Sequence, residues 1–451
     1  MPMNWPNCST RRTEVPRRPG RRAWPASLGL VLALSGCGSN VDSHLSDGSD
    51  HVSGSVSGSE SGNESGGLST ILYMYVGLRE DQRNRADDQQ AISLAFHRIE
   101  QDFRRINPGV RFVLQFYPER DLENELSRRN GSGLGPDLLL VSNSTALRLA
   151  LGGLTRAVVL PPDVLKQLSP TTLRRMKLAN GQLTALPVMQ QAQLACFNAA
   201  KLRRPPTTMQ ELLKVSSANI RVGLSIDSTG LYWTAGSLGA TEGMVQAAAK
   251  RPLSPEQRAG IVRWATWLQN AANQQRITFF SNQQQLLEEL IAGRLDWITC
   301  RSMDLQRLRR SLGPHLGVSA LPDGPRDEAS PINQLLVIAF GQNSSPQQRR
   351  AAEAFAHFSL NPLVQRNITL GSQEVLPVNR FVDVPQEGSQ QLKAMLHSQA
   401  QSRQAEQITL LIHLKDPRIA AVQTKLTELV FGESTPIKTA NGVIEVLEGK
   451  R

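Results

Sequence analysis

Cysteine is scarce in this chain of 451 residues. Cys8, Cys37, Cys196 and Cys300 are too few and too scattered for a disulfide framework, and no C-x-x-C pair points to zinc or dithiol chemistry. No apolar run approaches the ~20 residues that a membrane-spanning helix needs. No G-x-S-x-G, H-E-x-x-H, P-loop or G-x-G-x-x-G stands in a suitable context, so no catalytic residue, metal or cofactor is expected. Aromatic residues make up only 5% of the chain, and its Lys and Arg residues form no aromatic-rich basic stripe, so nucleic acid is not an expected partner.

What remains is a hydrophobic content of 40%, enough for a real core in two or three compact units. The formal charge of +11 is divided unevenly. Six arginines and Glu14 precede Cys37, whereas residues 38–68 carry five acids and no Lys or Arg; these offset, so the rest keeps the whole excess. Three Arg pairs in residues 11–22 followed by the apolar run Ala26 to Leu34 form the basic and apolar regions of a secretory signal. Leu34-Ser35-Gly36-Cys37 then resembles the bacterial lipobox. That likeness implies export, cleavage before Cys37 and acylation of its thiol. Residues 1–36 are accordingly expected to be a lipoprotein signal peptide, and 37–68 a lipidated cysteine followed by a Ser/Gly leash without apolar side chains enough to fold.

From Leu68 onward the chain reads as α/β. "STILYMYVGL" is β-rich, and Ile92, Phe96, Ile99, Phe103 and Ile106 recur at helical spacing up to Asn107-Pro108-Gly109. Val110, Phe112, Leu114 and Phe116 alternate as a half-buried strand, and "GPDLLLVSNS" reads as a strand buried on both faces. Strand, helix, strand, helix, strand implies an open sheet, whose ligands bind beyond the carboxyl ends of the strands. This directs attention to Tyr75 to Arg79 and Ser142 to Thr145.

Six stretches carry a family resemblance: "AFHRIEQDFRRINPGVRF", "GPDLLLVSNSTALRLALGGLTRAV", "NGQLTALPVMQQAQLACFNAAKLRRPPTTMQEL", "LLEELIAGRLDW", "GVSALPDG" and "AEAFAHFSLNPLVQ…LPVN". In order and spacing they resemble the family 1 extracellular solute-binding proteins, the maltose-binding-protein-like receptors of ABC importers, over nearly all of residues 69–451. The resemblance implies a periplasmic binding protein type II fold, with two α/β sandwich lobes joined by a hinge. It puts residues 69–190 and 301–360 in the first lobe and 191–300 and 361–451 in the second. It further implies a monomer that captures a small hydrophilic solute, a sugar or sugar-like osmolyte, and hands it to a permease and its ATPase without chemistry of its own.

The same resemblance nominates contacts. Ser144 and Thr145 fall where sugar-binding members carry a charged pair; they equally suit helix N-caps, and the cap reading is preferred. Gln190 and Gln191 stand at the lobe crossing as ligand contacts or hinge hydrogen-bonders. Tyr232 and Trp233 match an aromatic platform, whereas Trp264, Trp267 and Trp297 read as core. Where relatives often place a late stacking Trp, this chain has "KDPRIAAVQ", so Arg418, Arg301 and Arg79 become candidates for an anionic or zwitterionic solute. Cys196 and Cys300 fall near the implied crossings. They could form a disulfide, but two buried thiols are preferred, since a bond there would stiffen a hinge. A solute sensor outside transport and a lipoprotein hydrolase are the alternative functions.

Overall fold

The computed structural model describes residues 69–79, 86–413 and 416–450. The expected signal, lipidated Cys37 and leash lie outside the described residues.

The strands, in chain order, are β1 (Ser69–Leu78), β2 (Gly109–Pro118), β3 (Leu138–Ser142), β4 (Leu186–Gln191), β5 (Gln193–Asn198), β6 (Val222–Ser225), β7 (Ile277–Phe280), β8 (Trp297–Arg301), β9 (Leu316–Ser319), β10 (Gln334–Phe340) and β11 (Leu376–Pro377). They form two sheets, ordered β11-β4-β10-β3-β1-β2 and β7-β6-β8-β5-β9. The α/β class is as expected. Each sheet mixes parallel and antiparallel pairs: β1 runs parallel to β2 and β3, β10 runs against β3 and β4, β6 runs parallel to β7 and β8, and β5 runs against β8 and β9.

Local sequence accounts for the elements that flank the first sheet. β3 reads LLLVS and is buried almost throughout, in the interior of its sheet between β10 and β1. Helix Ala86–Ile106 ends as expected before Asn107-Pro108, and its Phe96 and Phe103 meet Phe112 of β2 and Phe355 of helix Pro346–Phe358. In the second unit, helix Pro255–Ala272 starts from a capping box between Ser254 and Gln257 with Pro255 in its first turn. It buries Ile261, Trp264, Trp267 and Leu268, which places both tryptophans in the core as expected. The C-terminal helices Pro417–Val430 and Pro436–Glu448 pack against it.

Among the described residues the chain crosses between the sheets three times. Ala192 alone separates β4 from β5, residues 320–333 lead from β9 to β10, and a third passage leads from β11 to helix Gln390–Gln401, which packs on β5 and β9. The expected lobe boundaries differ here at two points: residues 316–319, assigned to the first lobe, complete the second sheet, and residues 376–377, assigned to the second, form an edge of the first. The passages interlock. Asn333 Oδ1 accepts from the Gln193 N–H at 2.8 Å, Asn333 Nδ2 donates to the Ser398 carbonyl at 3.1 Å, and Ser398 Oγ donates to the Gln193 carbonyl at 2.8 Å.

Cys196 of β5 and Cys300 of β8 are joined by a disulfide, with Cα atoms 5.7 Å apart and both residues fully buried. This corrects the preference for free thiols. The argument against a bond assumed that it would span the hinge, but the two cysteines sit diagonally on adjacent strands of one sheet. The bond fixes that sheet and does not span the crossings.

Candidate functional site

Strand direction builds the site. β1, β2, β3 and β4 all end at one edge of the first sheet, which puts Arg79, Glu119, Ser142 and Gln191 there. In the second sheet β6, β7 and β8 end together, and antiparallel β5 begins at the same edge with Gln193. Arg79 follows β1 and Asp304 follows β8, and Arg79 Nη2 lies 3.8 Å from Asp304 Oδ1. Both side chains are largely withdrawn from solvent, at 14% and 9% exposure, so the carboxyl-end edges of the two sheets face each other across this pair.

On the first-sheet side, Ser142 caps helix Asn143–Leu151. Its Oγ accepts from the Thr145 N–H at 3.3 Å. Glu119 accepts from the Ser142 N–H at 2.6 Å, from Ser142 Oγ at 2.7 Å and from Thr145 Oγ1 at 2.7 Å. Ser144 Oγ lies 3.0 Å from Ser142 Oγ. The cap is therefore two residues earlier than Ser144, and Thr145 is neither the cap nor open to the cleft: it is 1% exposed and its hydroxyl is engaged by Glu119. Glu119 was missed from sequence. The signal for it was its place directly after an alternating parallel strand, where a carboxylate reaches the ligand edge.

On the second-sheet side, Asp227 accepts from the N–H groups of Thr229 and Gly230 at 2.9 and 2.8 Å and from Thr229 Oγ1 at 2.6 Å. Arg301 Nη2 donates to the same Thr229 hydroxyl at 3.0 Å, and the Arg301 N–H donates to Asp304 Oδ2 at 3.0 Å. Arg301 thus lies at the carboxyl-end edge of the second sheet. Burial pushes the nearby Glu374 carboxyl up to about 7, with Asp304 adding to the rise and Arg309 and Arg310 opposing it.

The other nominated residues separate. Gln190 and Gln191 are both buried at the end of β4, and alternation turns their side chains to opposite faces. Gln190 Oε1 accepts from Gln399 Nε2 at 2.8 Å, whereas Gln191 Oε1 is buried without a hydrogen-bond partner among the described residues. Tyr232 and Trp233 are 0% exposed, so the expected aromatic platform is corrected to core. Tyr232 packs on Trp264 at 5.6 Å between ring centroids, Trp233 packs near Trp297, and burial pushes the Tyr232 phenol upward. Arg418 is corrected as well. It grips Asp416, with Nη2 to Oδ2 at 2.7 Å, and donates Nη1 to the carbonyls of Ala248 and Leu447, so it pins three helices together away from the strand ends.

The fold is shared with solved receptors. The GacH receptor of Streptomyces glaucescens GLA.O, solved unliganded and with acarbose and an acarbose homolog, matches at 13% identity and a TM-score of 0.63, over 84% of this chain and 97% of that one. A cyclo/maltodextrin-binding protein complexed with maltotetraose matches at 14% and 0.62, over 86% and 98%. The maltodextrin binding protein MalE1 from L. casei BL23 matches at 15% and 0.61, over 84% and 99%. These likenesses show the two-lobe fold. A comparison with curated protein sequences finds no match. Residues 99–395, well over half of the chain, match the profile of the family described as bacterial extracellular solute-binding protein. With that match and that fold, the chain belongs to the bacterial extracellular solute-binding proteins.

Proposed function

We propose that this protein is a lipid-anchored receptor that captures a small hydrophilic solute, a sugar or sugar-like osmolyte, between the strand-end edges of its two sheets and delivers it to an ABC permease. The observation that carries the reading is the facing of mixed donors and acceptors across one edge: Arg79 and Arg301, Glu119 and Asp304, and the unpartnered Gln191 Oε1. A polyol hydroxyl both donates and accepts, so it can bridge such groups. Gln191 Oε1 would accept one of those hydroxyl protons, which would satisfy an otherwise costly buried acceptor. Solved neighbours hold acarbose and maltotetraose, which supports a carbohydrate-like ligand. The withdrawal of Tyr232 and Trp233 into the core removes the stacking surface that a long saccharide would use, and so favours a short, polar one.

Mechanistically, a solute that contacts both edges stabilises the closed arrangement by its differential contacts, and that arrangement is what the permease reads. A thermal-shift screen of the purified protein against sugars, polyols, compatible solutes and organic anions tests this, since a ligand specific for the folded state raises Tm by mass action. With the solute in hand, Gln191→Ala and Arg301→Gln are each expected to weaken binding roughly tenfold, as loss of one hydrogen bond to a buried or charged group would. If no solute shifts Tm and a substrate is turned over, the receptor reading fails. For the anchor, Cys37→Ala is expected to move the protein from the membrane to the soluble fraction, and unchanged fractionation removes the lipid from the proposal.

A further inference from the structure

On the Gln190 face of β4, away from Gln191, a cavity of about 520 Å³ opens beside the chain crossings. That volume is within the range of small-molecule sites, roughly 300–1,000 Å³. Its lining includes Asn333 of the second passage, Gln399 of the third, and three arginines, Arg175, Arg380 and Arg403.

Arg175 is the unusual member. It is 9% exposed, its Nη2 donates to the Asn333 carbonyl, and its Nε is buried without a hydrogen-bond partner among the described residues. No described carboxylate forms an ion pair with it. Glu406, whose charge acts on it, is held by the neighbouring Arg174 through Nε and Nη2 at 2.8 and 2.9 Å. Burial pushes the Arg175 guanidinium down to about 10, with Glu406 only partly opposing the fall. A buried cation without a paired anion is costly, and the fork of a guanidinium is shaped for two coplanar oxygens.

We propose that this cavity is an anion site, distinct from the strand-end cleft, that takes a small organic carboxylate on Arg175. Arg380 and Arg403, both exposed at the rim, supply the attracting field. Asp383 and Glu406 in the same lining disfavour a multiply charged tetrahedral anion, which selects carboxylate over phosphate. The amide of Gln399, whose Nε2 is bonded to Gln190, keeps its Oε1 for a contact with the remainder of the molecule. Its walls come from two of the passages between the sheets, so an occupied cavity ties the crossing region together.

Titration calorimetry of the full purified chain with the monocarboxylates lactate and pyruvate tests the site. Saturable binding at millimolar concentration or below is expected. Arg175→Met should weaken it by roughly tenfold or more, as loss of a charge-assisted bidentate contact does. Arg403→Gln, at an exposed rim position, should weaken it several-fold with the fold intact, and it decides the matter if Arg175→Met does not fold. Arg301→Gln in the strand-end cleft should leave carboxylate binding unchanged. The proposal is overturned by absence of binding, by binding that survives both Arg175→Met and Arg403→Gln, by loss in Arg301→Gln, or by equal binding of phosphate and sulfate.

Discussion

Around the first sheet, Phe96, Phe103, Phe112 and Phe355 meet in tilted and edge contacts with centroids between 4.6 and 6.2 Å apart. Around the second, the equivalent volume is filled by Trp233, Trp264, Trp267 and Trp297, all buried. Phenylalanine carries nothing to satisfy, but each indole brings an N–H that needs an acceptor. Trp264 Nε1 finds Thr234 Oγ1 at 2.7 Å, while the Nε1 atoms of Trp233, Trp267 and Trp297 have no partner among the described residues. The second half carries the Cys196–Cys300 disulfide, which has no counterpart among the described residues of the first, and its Asp296 is held at 2.8 Å by both Lys201 and Arg221. The buried phenylalanines of the first half and the buried tryptophans of the second therefore mark core construction.

The largest test of that difference is the disulfide. It closes a loop with a sequence separation of 104, and its removal in the double variant Cys196→Ala/Cys300→Ala is expected to cost about 2–4 kcal/mol. Urea denaturation reads this, and an unmoved midpoint would mean that the second half does not depend on its crosslink. Next is Asp296. Burial raises its carboxyl, but hydrogen bonds from Arg221 and Lys201 outweigh this and hold it down to about 2. A depressed folded pKa gives stability that is complete above about 4 and lost as pH falls towards about 2. Asp296→Asn should remove that acid-dependent slope and cost about 2 kcal/mol at neutral pH, less than a fully buried pair because Lys201 and Arg221 are partly exposed. The smallest effect separates the indoles. Trp264→Phe is expected to cost about 1 kcal/mol more than Trp297→Phe, because only the first breaks a buried hydrogen bond. Equal losses would show that the Trp264 hydrogen bond to Thr234 adds no net stability.

Much of the scaffold was legible in the chain. The alternation of Val110 to Phe116, the apolar run at 138–141 and the stop at Asn107-Pro108 each reflect backbone geometry over a few residues, and each is where it was expected. Ser144 and Thr145 were read to the correct strand end, but the cap fell on Ser142 because β3 passes directly into its helix without a loop. Of the amide pair at the first crossing, alternation decides that only one member faces each side, and which side holds what depends on β10, β11 and helix Gln390–Gln401, all distant in sequence. The second crossing lies later than expected because β9 adds an edge strand to the second sheet, a pairing between residues more than a hundred positions apart.

By itself the sequence determined the strand and helix order of residues 69–142 and the polar character of those strand ends, since periodicity and turn residues act locally, and its ordered stretches carried the likeness to solute-binding receptors. The tertiary structure alone decided that Tyr232 and Trp233 are core, that Arg418 braces helices, that Cys196 and Cys300 bond, and that Glu119 engages Thr145 and Arg301 engages Thr229. Burial and partnership are set by which distant segments the sheets bring together, and no window along the chain contains that information.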